Sequence, residues 1–378
     1  MSVKKNNNWD IFRKWNFLFF FRLIQKINPS WARRFLYLGI ADHSIYEEPY
    51  ENPILNTIMF SKMFPNPVGI AAGFDPLFKY NDILMDLGFG FEEFGTITDA
   101  PAMIETRLSF LTAQKGLSID AREFENMGVV ASQKALIARR HLPHLVGVNF
   151  GSNFEFSDKS FDVSTGFVNI ERELVSIVQK TAPYCDYLVL NLTHPILPIS
   201  SLLVNLSLLK SILRKLKQTI LRVAPISKPP LLVKIPLDVT PANIPLLIDV
   251  LLEEEIDGVI IGGYLNLDKE NKKRTGRRGL GFLAGAPLND ASTQVIEQFY
   301  SILQGRIPII ASAGVFTGDD AFEKIKAGAN LIQIHSAILY EGPSIARKIN
   351  TRLAFLLKTS GYKNVADAVG ANFKKTSL

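Results

Sequence analysis

The sequence predicts a (β/α)8 TIM barrel, an α/β fold built on parallel strands, and three observations carry that prediction. Eight short apolar runs recur along the chain, each closes on a glycine or a few polar residues, and the intervening stretches are long enough for a helix with its loops. Parallel strands need such crossovers, because every connection must return the chain to the same end of the sheet. Taken in order, the runs span 67–72, 90–95, 145–150, 187–192, 231–235, 257–261, 307–312 and 331–335. The first four lead to Gly73 with Asp75, to Thr96, to Asn149 and to Asn191. The last four lead to Lys234, to Gly262, to Gly314 and to His335 with Ser336. Loops after the C-terminal strand ends build the active sites of such barrels, so these residues are the candidate site. Between the fourth and fifth runs, residues 201–221 repeat leucine and isoleucine at helical spacing, with Lys210, Arg214, Lys215 and Lys217 between them, which predicts an outer helix.

The chain has 378 residues and is 47% hydrophobic, whereas a barrel of this kind needs roughly 250 residues. One barrel at 46–378 with an N-terminal helical segment at 1–45 is therefore the expected organisation. The net charge of +6 is concentrated in that segment. Residues 1–40 carry Lys4, Lys5, Arg13, Lys14, Arg22, Lys26, Arg33 and Arg34 against Asp10 alone, which leaves the rest of the chain close to neutral. Trp9, Trp15 and Trp31 lie in the same stretch with Phe12, Phe17, Phe19, Phe20 and Phe21. Aromatics interleaved with cations suit a helix lying in the headgroup layer of a membrane, where indoles favour the interface and cations favour anionic lipid. A helical pair packed on the barrel with its cations solvated, and a mitochondrial transit peptide, stay open as other readings. The apolar run at 17–21 is too short to span hydrocarbon.

Residues 268–279 are rich in Lys and Arg without an aromatic platform, which predicts a solvated loop after the sixth strand and no nucleic-acid partner. Cys185 is the one cysteine, so no intrachain disulfide forms. His43, His141, His144, His194 and His335 are scattered, and no spacing suggests a metal site.

The strand ends point to an anionic, planar ligand. Loops after strands seven and eight of these barrels often hold a phosphate on backbone N–H groups. Here Ala311-Ser312-Ala313-Gly314 and His335-Ser336-Ala337 offer small residues there, and the Ser336 hydroxyl adds a donor. Lys234 closes an apolar strand, where an ammonium is costly unless an anion or an electron-rich ring receives it. Asn149 and Asn191 bring paired amide donors and acceptors suited to a heterocycle. Glu93, a charge inside the second run, calls for a buried partner.

Several of these segments together resemble one family. Asn66-Pro67-Val68-Gly69-Ile70-Ala71-Ala72-Gly73-Phe74-Asp75, Gly95-Thr96-Ile97-Thr98, Val148-Asn149-Phe150-Gly151, Val233-Lys234-Ile235 and Gln333-Ile334-His335-Ser336 resemble the membrane-associated, quinone-dependent (class 2) dihydroorotate dehydrogenases. The stretch from Leu23 to Leu38 around Asn28-Pro29 is similar to that family's quinone-tunnel helices, and the tail from Leu356 to Gly370 follows its pattern. The resemblance implies oxidation of dihydroorotate to orotate in pyrimidine biosynthesis, with FMN as electron carrier and a membrane quinone as acceptor. It implies flavin contacts from Ala72, Gly73, Thr96, Asn149, Asn191, Lys234, Gly285, Gly314 and Ser336, with His335 beside the flavin phosphate. It places Asn191 and Phe124 against the substrate and His194 at the position of the catalytic base. The setting it implies is the cytoplasmic face of a bacterial inner membrane, or the mitochondrial inner membrane in a eukaryote.

The substrate side departs from the family pattern as a divergent member would. Pro76 stands where the resemblance implies a lysine, and Asp120-Ala121-Arg122-Glu123-Phe124 replaces an Asn-Arg-x-Gly-Phe segment. Thr193-His194-Pro195-Ile196 stands for Ser-Ser-Pro-Asn, Gly263-Tyr264 for Asn-Thr, and Phe110 for a tunnel arginine, while Arg107 lies nearby. The base that the resemblance implies is thus His194 rather than a serine, and neutral imidazole accepts a proton readily near neutral pH; a histidine packed in the loop without catalytic duty stays open as the other reading. Two further readings follow from the same departures: a flavin oxidoreductase with a different reductant, and a noncatalytic FMN-binding or scaffold protein of the same fold.

Overall fold

The structure, a computed structural model, describes residues 17, 19–21, 23–24, 34–39, 48–102, 107–111, 115–120, 125–152, 163–193, 203, 205–266 and 282–374. It opens with a hairpin of β1 (Thr57–Met59) and β2 (Lys62–Phe64). The barrel strands follow as β3 (Val68–Ile70), β4 (Glu92–Ile97), β7 (Val146–Phe150), β8 (Tyr187–Asn191), β9 (Leu231–Ile235), β10 (Gly258–Gly262), β13 (Ile309–Ser312) and β14 (Leu331–Ile334). They pair in chain order, all parallel, and β14 closes the cylinder on β3. Each expected run forms its strand, and the strands read as continuous apolar segments because both faces are covered.

The helices of the crossovers are α1 (Asn81–Asp86), α2 (Gly128–Arg139), α3 (Val163–Thr181), α4 (Leu206–Val223), α5 (Ile244–Glu253), α6 (Asn289–Leu303), α7 (Gly318–Ala327) and α8 (Ser336–Glu341), with α9 (Ile345–Thr359) and α10 (Val365–Ala368) completing the chain. The helix expected at 201–221 starts later, at Leu206. The Asn205 side chain accepts the Leu208 N–H at 3.2 Å, satisfying a donor the first turn would otherwise leave free. Leu209, Ile212, Leu213, Leu216 and Ile220 form its buried stripe.

Side-chain alternation along each strand divides the interior into two levels. The lower level is apolar: Phe91, Tyr187, Val189, Leu232, Ile260, Ile310 and Leu331 pack together, and Met59 and Phe64 of the hairpin join them. Gly147 leaves the room that the Tyr187 ring fills, since a Cβ there would lie 2.1 Å from the ring. One step further along the same strands come Glu93, Asn149, Asn191, Lys234, Ser312 and Gln333, all buried. Burial of an apolar plug beneath a polar layer directs the chemistry to the strands' C-terminal end.

A second sheet was not legible in the sequence. β5 (Arg107–Leu111), β6 (Gly116–Asp120), β11 (Leu265–Asn266) and β12 (Phe282–Gly285) form it in the order β11-β12-β6-β5, antiparallel throughout. It joins the excursion after β4 to the excursion after β10 and carries Gly285 to the barrel mouth. The basic loop 268–279 lies outside the described residues.

Phe17, Phe21 and Leu36 share the core that lies between the strands and the helices. Tyr37 donates to the Phe74 carbonyl and stacks on Tyr80 at 4.8 Å, tying helical residues 34–39 to the loop after β3. Phe19 and Leu38 remain 66% and 68% exposed, and Phe20 and Leu23 are exposed beside them. The basic and aromatic residues at 1–16 lie outside the described residues. Among those described, no helix is long and apolar enough to cross a membrane.

Glu92 points the other way from Glu93, into the layer beneath α1. Asn81 Nδ2 donates to its Oε2 at 2.6 Å, while Glu92 Oε1 and Asn81 Oδ1 have no partner among the described residues. Burial, reinforced by the charge of Asp75, pushes the Glu92 carboxyl well above the ordinary carboxylate range. A raised folded-state value means the native chain holds a proton that the unfolded chain has released, so stability falls as pH rises through that window. Replacing Glu92 by Gln removes the ionisation and supplies the missing N–H donor. Glu92→Gln is therefore expected to raise the thermal midpoint by a few degrees near about pH 8 and by less near about pH 5, read by calorimetry across pH.

Candidate functional site

The floor of the site is one hydrogen-bonded layer that ends on a carboxylate. Glu93 Oε1 accepts from Asn149 Nδ2 at 2.7 Å and from Lys234 Nζ at 3.4 Å, and Oε2 accepts from Gln333 Nε2 at 2.5 Å. With its NH2 group turned to Glu93, Asn149 presents Oδ1 to the Thr96 hydroxyl at 2.7 Å. Thr96 in turn accepts from Asn191 Nδ2 at 2.9 Å. Asn191 Oδ1 is then taken by the Thr193 N–H at 2.9 Å and its hydroxyl at 2.6 Å. Donor direction thus runs unbroken from Asn191 to Glu93. Among the described residues, a second Asn191 amide hydrogen and two Lys234 ammonium hydrogens take no partner, and both side chains line the space above.

That space is a cleft open to solvent. Ala72, Gly73, Thr96, Asn191, Lys234, Gly285, Gly314, His335 and Ser336, all expected from the sequence, line it together. Asn149 does not: fully buried, it supports Thr96 from below while its amide serves Glu93. Phe124 and His194 lie outside the described residues, although Thr193 and Glu125 beside them in sequence both line the cleft. The His335 ring stands edge-on to Phe74, with 6.0 Å between centroids.

Gln333 and Glu125 also line the cleft and were not among the expected site residues. Gln333 carried a readable signal, a polar side chain two residues before His335 on the same face of an apolar strand. Glu125 carried none, because the fold alone brings its loop to the mouth. Tyr264 and Pro76 also line the cleft, and burial pushes the Tyr264 phenol up to about 12. Among the described residues no cluster of three or more His, Cys, Asp or Glu could hold a metal ion.

The walls match a flat, phosphorylated ligand. Gly73, Gly285 and Gly314 adopt φ of +93°, +96° and +77°, the left-handed region that side-chain-bearing residues rarely enter. A Cβ on Gly314 would lie 2.4 Å from the Asn289 backbone, so the turn after β13 has no room for any other residue. Ala313, Gly314, Ser336 and Ala337 thus bring main chain to the cleft surface, while Lys234, Asn191 and Thr96 supply polar groups from the floor. A flavin mononucleotide matches this donor set: a flat polar ring over the floor and a phosphate at the main-chain turns.

Fold and site together define a parallel-barrel enzyme that binds its ligand at the C-terminal strand ends. The sequence model of the family described as dihydroorotate dehydrogenase matches residues 54–357. The chain belongs to the dihydroorotate dehydrogenase family, which is flavin-dependent. It is 36% identical over 331 residues to a dihydroorotate dehydrogenase (quinone) of Azorhizobium caulinodans, covering 85% of this chain and 89% of that one. A mitochondrial dihydroorotate dehydrogenase (quinone) of Mus musculus is 33% identical, covering 91% of this chain and 86% of its own. The crystal structure of DHODH in complex with ferulenol from Eimeria tenella superposes with a TM-score of 0.80 at 27% identity, over 92% of this chain and 96% of that one.

The network makes Glu93 the shared acceptor of three buried donors. Glu93→Leu strands all three and is expected to cost about 3–5 kcal/mol, whereas Glu93→Gln keeps an acceptor for Asn149 and Lys234 and costs less. Urea unfolding of the two variants against the parent chain checks the ranking.

Proposed function

We propose that the chain is an FMN-dependent oxidoreductase that oxidises dihydroorotate to orotate and passes the electrons to a membrane quinone. The cleft floor carries this reading: Lys234 and Asn191 turn donors into a space walled by glycine turns, beneath which Glu93 fixes their direction. The relatives' names, dihydroorotate dehydrogenase (quinone), support the substrate and the acceptor. FMN would be held by Lys234, Asn191 and Thr96 at its ring, and by the turns at Gly285, Gly314, His335 and Ser336 at its phosphate, with Ala72 and Gly73 against one face. When bound it supplies a two-electron acceptor of hydride.

The protein's own part is to hold the substrate and remove a carbon-bound proton. His194 follows Thr193 in the chain, and Thr193 is already fixed on Asn191, so we assign proton removal to the His194 imidazole. Asn191 and Phe124 would hold the substrate ring. The exposed Phe19, Phe20, Leu23 and Leu38, continuous in sequence with the cationic residues at 1–40, support peripheral membrane contact on the quinone side. The corresponding setting is the cytoplasmic face of a bacterial inner membrane, or the mitochondrial inner membrane if the source is eukaryotic.

Pro76 and Tyr264 line the cleft where the family pattern implies lysine and threonine, and they favour a second reading, a flavin enzyme with a less polar reductant. A third, a noncatalytic FMN-binding scaffold, differs in retaining the barrel without turnover. Anaerobic addition of dihydroorotate to the purified chain separates the first reading from the other two. Bleaching of the flavin band is the expected result; a band that persists removes dihydroorotate oxidation, and a colourless folded protein removes the flavin. His194→Ala is expected to slow bleaching by about 10²–10⁴-fold with the flavin retained, read by stopped-flow absorbance.

A further inference from the structure

Behind the wall of the cleft lies a lysine that the proposed reaction does not use. Lys324 of α7 has no exposed surface. Its ammonium donates to the Asn289 carbonyl at 2.5 Å, to Thr293 Oγ1 at 2.6 Å and to the Ser292 hydroxyl, so all three hydrogens are placed on the first turn of α6. The Asn289 carbonyl also receives the Thr293 hydroxyl at 3.0 Å. The Ser292 hydroxyl has two acceptors in reach, the same Asn289 carbonyl at 2.9 Å and the Ala313 carbonyl at 3.1 Å, so it links the first turn of α6 to the turn after β13.

Two of the three residues gripped by Lys324, Ser292 and Asn289, bear on the same turn of the cleft wall. Ala313 sits at φ +146° without being glycine, a costly conformation that its surroundings must hold. Gly314 is pressed on Asn289 so closely that a Cβ would come within 2.4 Å of its Cα. Asn289 is also anchored on the far side, where its Nδ2 donates to Asp320 Oδ1 at 2.9 Å. Burial draws the Lys324 amine down to about 7, with Asp320, Asp290 and Glu297 pulling it back up. Such a group persists in a core only where a fixed set of acceptors receives it.

We infer that Lys324 is a positioning residue: through Ser292 and Asn289 it sets the Ala313–Gly314 turn that receives the phosphate of the flavin, and so sets the preference for FMN over unphosphorylated riboflavin. This rests on the FMN reading of the cleft given above. Misalignment of that turn touches the phosphate alone, because the flavin ring is served by Lys234, Asn191 and Thr96 on other strands.

The test is a pair of titrations of the deflavinated full chain with FMN and with riboflavin, each followed by flavin fluorescence. Lys324→Met is expected to weaken FMN by about tenfold or more, as loss of a well-aligned hydrogen bond to a charged group would, and to leave riboflavin unchanged. Ser292→Ala keeps the ammonium with two of its acceptors and is expected to give the same selective loss, which decides the matter should Lys324→Met not fold. Equal losses for the two ligands, or none for either, overturn the inference. Wild-type chain that binds riboflavin as tightly as FMN removes the phosphate reading itself, a different outcome.

Discussion

A single buried carboxylate organises the upper half of the barrel. Glu93 is the end point of three donors, and because it can only accept, every amide and hydroxyl upstream of it has one orientation. Asn149 must turn its oxygen to Thr96, Thr96 must accept from Asn191, and Asn191 must give its oxygen to Thr193. The Asn191 and Lys234 hydrogens that remain are donors. A cleft floored in this way favours ligand atoms rich in lone pairs, such as the carbonyls and ring nitrogens of a flavin.

The same constraint explains the layering beneath. A buried ion pair stabilises little by itself, since desolvation offsets most of the attraction, but removing either partner leaves the other stranded. The arrangement is secure only if water is kept out from below. The β1–β2 hairpin does this with Met59 and Phe64, closing the barrel under Phe91, Tyr187 and Leu331. The hairpin is remote from the cleft, yet it protects the polar layer from solvent.

Around the cleft, two supports of different character meet. The β13 wall is rigid, with Gly314 against Asn289, Ser292 on Ala313 and Lys324 behind both. Two strands along, beyond β14, the loop after β3 is tied by Tyr37 to helical residues 34–39. Phe17, Phe21 and Leu36 belong to the barrel's own core while Phe19 and Leu38 face outward. The described residues of the N-terminal segment thus both cover the barrel and leave apolar side chains exposed.

Strands and their order were legible because burial on both faces makes a parallel strand apolar without interruption, and a polar residue closing such a run stands out. Lys234, Asn149, Asn191 and Thr96 were found in this way, and Glu93 by the cost of burying a charge. What the sequence could not express was partnership. That Glu93 answers Lys234, 141 residues away, that Asn149 supports the floor instead of lining it, and that β6 and β12 meet in a second sheet are outcomes of closing the cylinder. Lys324 is the plainest case: on a helix between Glu323 and Lys326 it reads as a surface charge, and only α6 packed across it turns it inward. Local pattern determined the elements because periodicity is a property of neighbours in the chain; tertiary structure decided the pairings because a hydrogen bond or a buried charge is satisfied only by a group that folding brings into reach.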